Sequence, residues 1–185
     1  QDCKHWHEIG LEGLSVAVNL SPVQFQRGNL PNIVLRALHK TGLKTEFLEL
    51  EITESLFIDD STFIKDQVCD ISTKGVNIAI DDFGTGYSNL NYLTKFYARI
   101  LKVDMSFVKD MKASIQKENL VAAIIKMSDM MEFKNTAEGI EDYSTYVKLK
   151  NMGCQYGQGY YWCHPMPNSD FIKKVKSWHE NDLSD

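Results

Sequence analysis

Ile78-Ala79-Ile80-Asp81-Asp82-Phe83-Gly84-Thr85-Gly86 decides the fold: a short apolar run of β character stops at two adjacent carboxylates and a glycine-rich turn. The same arrangement recurs along the chain. Val16-Ala17-Val18 leads to Asn19, Leu48-Glu49-Leu50 to Glu51, and Ile100-Leu101 to Lys102 and Asp104. Asn135-Thr136-Ala137 leads to Glu138, and the stretch from Gln155 to Tyr161 holds Gln158. Acids and amides at the ends of buried strands are costly in a purely structural design. In a parallel α/β barrel, however, the C-terminal strand ends converge on one mouth, where active sites sit. The pattern reads as a metal-dependent catalytic rim.

Between these runs lie amphipathic stretches. Strands are expected near 14–19, 46–52, 76–82, 98–103, 133–138 and 155–161, and helices near 30–41, 61–74, 115–132, 142–152 and 168–180. Short helical turns are expected near 22–27 and 88–96. Leu30, Ile33, Val34 and Ala37 repeat at helical spacing, as do Leu120, Ile124, Met127 and Met131. Asp60 or Ser61 can cap the second long helix, Gly75 can end it, and Ser169 can cap the last one. Alternating β and α units imply a parallel sheet covered by helices. Six units do not close an eight-stranded barrel of about 250 residues. Gln1 to Glu8 read as the tail of a helix, so the expectation is an α/β barrel truncated at its N-terminus to about six strand–helix units. An open barrel of this kind exposes strand edges that proteins usually cover. The chain is therefore expected to be a fragment of a longer protein, or to have its gap covered by another chain.

The 185 residues suffice for one domain with a substantial core. Net charge is −5 and the pI about 5.5, which argues against binding nucleic-acid polymers. An anionic substrate would need cations to neutralise the acidic rim. Cys3, Cys69, Cys154 and Cys163 are scattered without a Cys-x-x-Cys pair, as reduced thiols of a cytoplasmic protein are. No apolar run reaches the roughly 18 residues of a membrane span, although attachment to a membrane-anchored sensor stays open. The histidines show no metal-ligand spacing, and Met127, Met130 and Met131 read as helix core.

The ordered motifs carry a resemblance. Val18-Asn19-Leu20-Ser21-Pro22 with Gln24-Phe25, Leu48-Glu49-Leu50-Glu51-Ile52-Thr53-Glu54-Ser55 and Ile80-Asp81-Asp82-Phe83-Gly84-Thr85-Gly86-Tyr87-Ser88 come first. Leu101-Lys102-Val103-Asp104, Ala137-Glu138-Gly139-Ile140-Glu141 and Gln158-Gly159-Tyr160 follow. Together they resemble the EAL domain of bacterial cyclic di-GMP phosphodiesterases, a modified TIM barrel, over almost the whole chain.

The resemblance implies roles. Asn19, Glu51 and Asp81 correspond to ligands of one divalent cation, Mg²⁺ or Mn²⁺. Asp82 and Glu138 correspond to ligands of a second, with Asp81 bridging. Lys102 would position the attacking water, Asp104 would orient it, and Gln158 would order water and substrate. Glu54 would anchor the loop from Asp82 to Ser88. Residues 1–185 would form a single partial EAL domain acting on cyclic di-GMP, expected as a homodimer behind a sensory or diguanylate cyclase domain.

Blander readings exist for each residue. Asn19 before Ser21-Pro22 fits a turn or cap, Glu51 and Glu54 a solvated strand end, and Lys102 an ion-pair partner of Asp104. Glu138 and Gln158 fit capping and loop hydrogen bonds. The Glu-Ala-Leu tripeptide that names the family is absent from the chain, and Gln155 stands where relatives often carry aspartate. Three functions follow in order: hydrolysis of cyclic di-GMP to 5′-pGpG, a non-hydrolysing cyclic di-GMP sensor, and an interaction scaffold.

Overall fold

The apolar runs form β1 (Val16–Leu20), β2 (Leu48–Thr53), β3 (Asn77–Phe83), β4 (Ile100–Val103), β5 (Lys134–Ala137) and β6 (Tyr156–Gly157). They make one six-stranded sheet in chain order, with every pairing parallel. The helices are α1 (Asp2–Glu8), α2 (Pro22–Gln26), α3 (Leu30–Thr41), α4 (Thr62–Thr73), α5 (Met105–Asp110), α6 (Ile115–Met130), α7 (Tyr143–Asn151) and α8 (Asn168–Asp182). The computed structural model describes residues 1–57, 62–85, 93 and 97–182. Strands laid down in sequence order, joined by crossovers of one hand, keep their helices on one face of the sheet. This is the TIM-barrel type of winding, as expected.

The register separates two faces. Leu20, Ile52, Ile80, Leu101 and Asn135 are aligned across five strands. With Leu50, Ile78 and Val103 they form the helix-facing side. The apolar members pack with Val34 and Leu38 of α3, Ile64, Val68 and Ile71 of α4, Val121 and Ile125 of α6, and Leu149 of α7 in one core. Full burial of such a side chain contributes about 1.5–3 kcal/mol. Asn135 is the polar exception, and both polar atoms of its side chain are hydrogen-bonded there. Its Nδ2 donates to Ser128 Oγ at 3.0 Å, and its Oδ1 accepts from the Gln155 amide at 2.8 Å. Gln155 Oε1 in turn accepts from the Asn135 amide at 3.4 Å, so Gln155 is tied to the sheet.

Alternate residues, Asn19, Glu51, Asp81, Lys102 and Thr136, share the opposite, inner face. β1 and β6 each pair on one side only among the described residues. The Trp6 indole of α1 donates to Asn168 Oδ1 at 2.7 Å, and its ring lies 4.7 Å from that of Phe171 in α8. A groove of about 970 Å³ runs along this side, lined by residues that include Trp6, Thr136, Gln158, Tyr160 and Trp162.

Several local expectations are corrected. The buried stripe of α3 is Leu30, Val34 and Leu38, while Ile33 is exposed. On α6 the buried set is Val121, Ile124 and Ile125; Leu120 and Met130 face outward. Ser169 lies inside α8, which starts at Asn168. The last strand keeps only two residues because the following backbone hydrogen-bonds to a loop: Gln158 carbonyl accepts from Ile140, and Tyr161 donates back to Ile140. Gly75 does end α4, at φ 92° with its amide on the Ser72 carbonyl. The helical turn near 88–96, apart from residue 93, and the caps Asp60 and Ser61 lie outside the described residues.

Candidate metal centre

Strand alternation delivers the acids. Asn19 and Glu51 are register partners on β1 and β2, Asp81 stands near the end of β3, Lys102 lies within β4, and Glu138 follows β5. Lys102 is the hub. Its Nζ lies 2.5 Å from Glu51 Oε1, 2.6 Å from Glu138 Oε1 and 3.1 Å from Asp81 Oδ1, with the residue only 4% exposed. Burial alone would lower the lysine pKa. Hydrogen bonds to Glu138 and Glu51, with the charges of Glu138 and Asp81, outweigh it and raise the ammonium well above its usual range.

Asp81, Asp82 and Glu138 each place a carboxylate oxygen within 4.8 Å of the others. Burial pushes the Glu138 carboxyl up, with Lys102 opposing. Burial also pushes Asp82 up, helped by the carboxylates of Asp81 and Asp104. Asp82 carries φ 54°, in the left-handed region that non-glycine residues rarely occupy, beside an irregularity in the β3–β4 register. This local twist turns the second carboxylate of the pair to the cluster.

The next turn is fixed from behind. Glu54 is buried, and its Oε2 accepts from the Gly84 amide at 2.9 Å. Gly84 has φ 100°, and a Cβ there would lie 2.8 Å from the Phe107 ring. Within the loop that Glu54 is expected to anchor, its contact is with the Gly84 amide; Gly86 to Ser88 lie outside the described residues.

Asp104 is not the partner of Lys102. It caps α5, with its Oδ1 accepting from the Ser106 amide at 2.9 Å and from the Ser106 hydroxyl. Gln158 is exposed in the groove, its backbone N–H fixed on the Ala137 carbonyl at 2.9 Å. Asn19 is likewise exposed beside Glu51.

One inner-face acid escaped the sequence reading. Glu49 lies two residues before Glu51 on β2, and its carboxyl is pushed up by burial and by the charge of Glu51. The alternation Leu48-Glu49-Leu50-Glu51 already places both acids on one face.

The donor set is all oxygen, as hard divalent cations require. Asp81 Oδ1 is buried and close to Lys102 without a directed hydrogen bond, so it retains acceptor capacity. The residues fit a metal ion.

The model of the EAL domain family matches residues 1–165. The chain belongs to the EAL-domain family. This EAL domain is 37% identical to the signalling protein YkoW of Bacillus subtilis over 166 residues, 90% of this chain and 21% of YkoW. It is 38% identical to the cyclic di-GMP phosphodiesterase NbdA of Pseudomonas aeruginosa over 170 residues, 90% of this chain and 21% of NbdA. The chain thus spans about a fifth of the length of these relatives. The solved MucR phosphodiesterase in complex with cyclic di-GMP superposes with a TM-score of 0.88 at 34% identity, covering 92% of this chain and 69% of the solved MucR chain. Klebsiella pneumoniae BlrP1 in its manganese and cyclic di-GMP complex gives 0.81 at 27% identity, covering 90% and 43%. No described helix of the EAL domain is long and apolar enough to cross a membrane.

Proposed function

We propose that this EAL domain serves, within its parent protein, in metal-dependent hydrolysis of cyclic di-GMP to linear 5′-pGpG. The observation that carries the reading is the convergence of Asp81, Asp82 and Glu138 beside the Lys102 hub at the strand ends. The kinship with NbdA and MucR supplies the substrate class.

Asn19, Glu51 and Asp81 would hold one cation, and Asp82 and Glu138 a second, with Asp81 between them. Divalent cations in such a site supply Lewis acidity toward phosphoryl oxygens and an acidified water. They also answer an electrostatic problem: a phosphodiester is repelled by a cluster of carboxylates offset by a single lysine. Lys102 would hydrogen-bond the attacking water, and Asp104, fixed at the N-terminus of α5, would orient it. Gln158 offers its exposed amide to water and substrate beside Tyr160 and Trp162, whose rings can stack on a base. Glu54 holds the turn after Asp82 and thereby the strained carboxylate. We further propose that residues 1–185 are part of a single EAL domain, working as a homodimer behind a sensory or cyclase domain.

Incubation of the chain with cyclic di-GMP and Mn²⁺, followed chromatographically for 5′-pGpG, tests the reading. Product that requires Mn²⁺ and vanishes in Asp81→Ala is expected. Saturable nucleotide binding without product would replace hydrolysis by sensing, and neither binding nor product would leave a scaffold.

A further inference from the structure

An ammonium group has three N–H donors. Lys102 hydrogen-bonds Glu51 at 2.5 Å and Glu138 at 2.6 Å, and its Nζ lies 3.1 Å from Asp81 Oδ1 without a directed hydrogen bond. The side chain is buried, so the ammonium is held among these acids and away from bulk water. Glu51 and Asp81 lie on β2 and β3 and Glu138 just after β5, and without a cation among them their charges would drive these segments apart. Lys102 thus does structurally what a divalent cation would do. Two of its three donors are committed to Glu51 and Glu138, on oxygens that a cation would also need.

We infer that Lys102 has two alternating roles: counterion to Glu51, Asp81 and Glu138 while no divalent cation is bound, and free donor at the reacting centre once a cation has taken over those oxygens. The inference rests on the metal-site reading above and deepens it. It makes the lysine and the metal competitors for one set of carboxylates, so that the lysine stabilises the metal-free fold and weakens metal binding. Charging the site with metal then also arms the lysine. Without metal, two of its donors stay on Glu51 and Glu138.

Asp82 supplies the contrast. It belongs to the acid cluster but makes no ion pair with Lys102. Removing its charge should therefore cost metal affinity without costing the metal-free fold.

The test is urea unfolding in EDTA alongside Mn²⁺ titration calorimetry of this chain, of Lys102→Met and of Asp82→Asn. Lys102→Met is expected to unfold at lower urea in EDTA yet to bind Mn²⁺ about tenfold more tightly, a coupling of ordinary size. Asp82→Asn is expected to bind Mn²⁺ more weakly with its unfolding midpoint in EDTA no lower. Equal or weaker Mn²⁺ binding in Lys102→Met overturns the inference. Should that variant not fold, the wild-type Lys102 ammonium resonance, assigned by its absence in Lys102→Arg, decides the matter. Slow proton exchange in EDTA that becomes fast with saturating Mg²⁺ supports the two roles, and unchanged exchange overturns them. Saturable Mn²⁺ binding missing from wild type and variant alike overturns the metal-site reading itself, while the stability difference in EDTA would still identify the counterion.

Discussion

Ile80 and Asp81 are chain neighbours on β3, and both are buried, yet they sit in opposite worlds. Ile80 faces the helices with Ile52 and Leu101, where burial itself is the stabilising event. Asp81 faces inward with Glu51 and Lys102, where burial costs several kcal/mol per charge unless partners offset it. One face of the strands supplies the stability, and the other spends some of it to hold carboxylates at a fixed separation. A strand that alternates in this way can carry chemistry without a loop of its own.

The comparison can be broken at either face. The largest effect is expected from Asp81→Ala: turnover of cyclic di-GMP should fall by about a thousandfold or more, the scale of several kcal/mol lost with metal-assisted charge stabilisation. Chain stability measured in EDTA should change far less than activity does. Ile52→Ala should do the reverse, lowering the unfolding free energy in urea by about 2–5 kcal/mol while the remaining folded protein keeps its Mn²⁺ affinity. Glu54→Ala should cost about 1.5–3 kcal/mol, the worth of a buried hydrogen bond to a charged acceptor, and turnover should fall with it as the Gly84 turn loosens.

The smallest effects are in pH and have opposite signs on the two sides. Glu49, Glu138 and Asp82 are all raised by burial, so the folded chain binds their protons more tightly than the unfolded one. Stability in EDTA should therefore decline as pH rises from the ordinary carboxylate range, about 4, into the folded one. Glu49→Gln should flatten that decline in a series of urea midpoints. Asp142, on the helical surface, is held well below the usual range by Lys112, by Ser144 and by the Thr145 amide of α7. Its contribution should be present above the ordinary carboxylate range and fade as pH falls, and Asp142→Ala should lower stability above that range and abolish the acidic fade.

Much of this was legible in the sequence. Short apolar runs ending in acids announce parallel strands with a rim, and the six strands and their winding follow from that rhythm. The acids themselves were visible because Asp81-Asp82 after a buried run has no cheap structural excuse. What alternation could not tell was which helical residues turn inward. Val121 and Ile125 are buried on α6 where Leu120 and Met130 fit the apolar pattern as well, because the face is chosen by the sheet beneath. Nor could it tell that Lys102 pairs with Glu51 and Glu138 in place of Asp104 two residues on. That choice follows from register across strands far apart in sequence, while Asp104 is taken by the start of α5. Glu49 follows from the same alternation, but it stands in the middle of the β2 run and not at its end, where the rim acids lie.

Anomalous diffraction from crystals of this chain grown or soaked with Mn²⁺ tests the central claim most directly. The account predicts manganese density bounded by Asp81, Asp82 and Glu138, with the Lys102 ammonium displaced from at least one of its carboxylates. Manganese found only elsewhere on the surface, with Lys102 still on Glu51, Asp81 and Glu138, would contradict it.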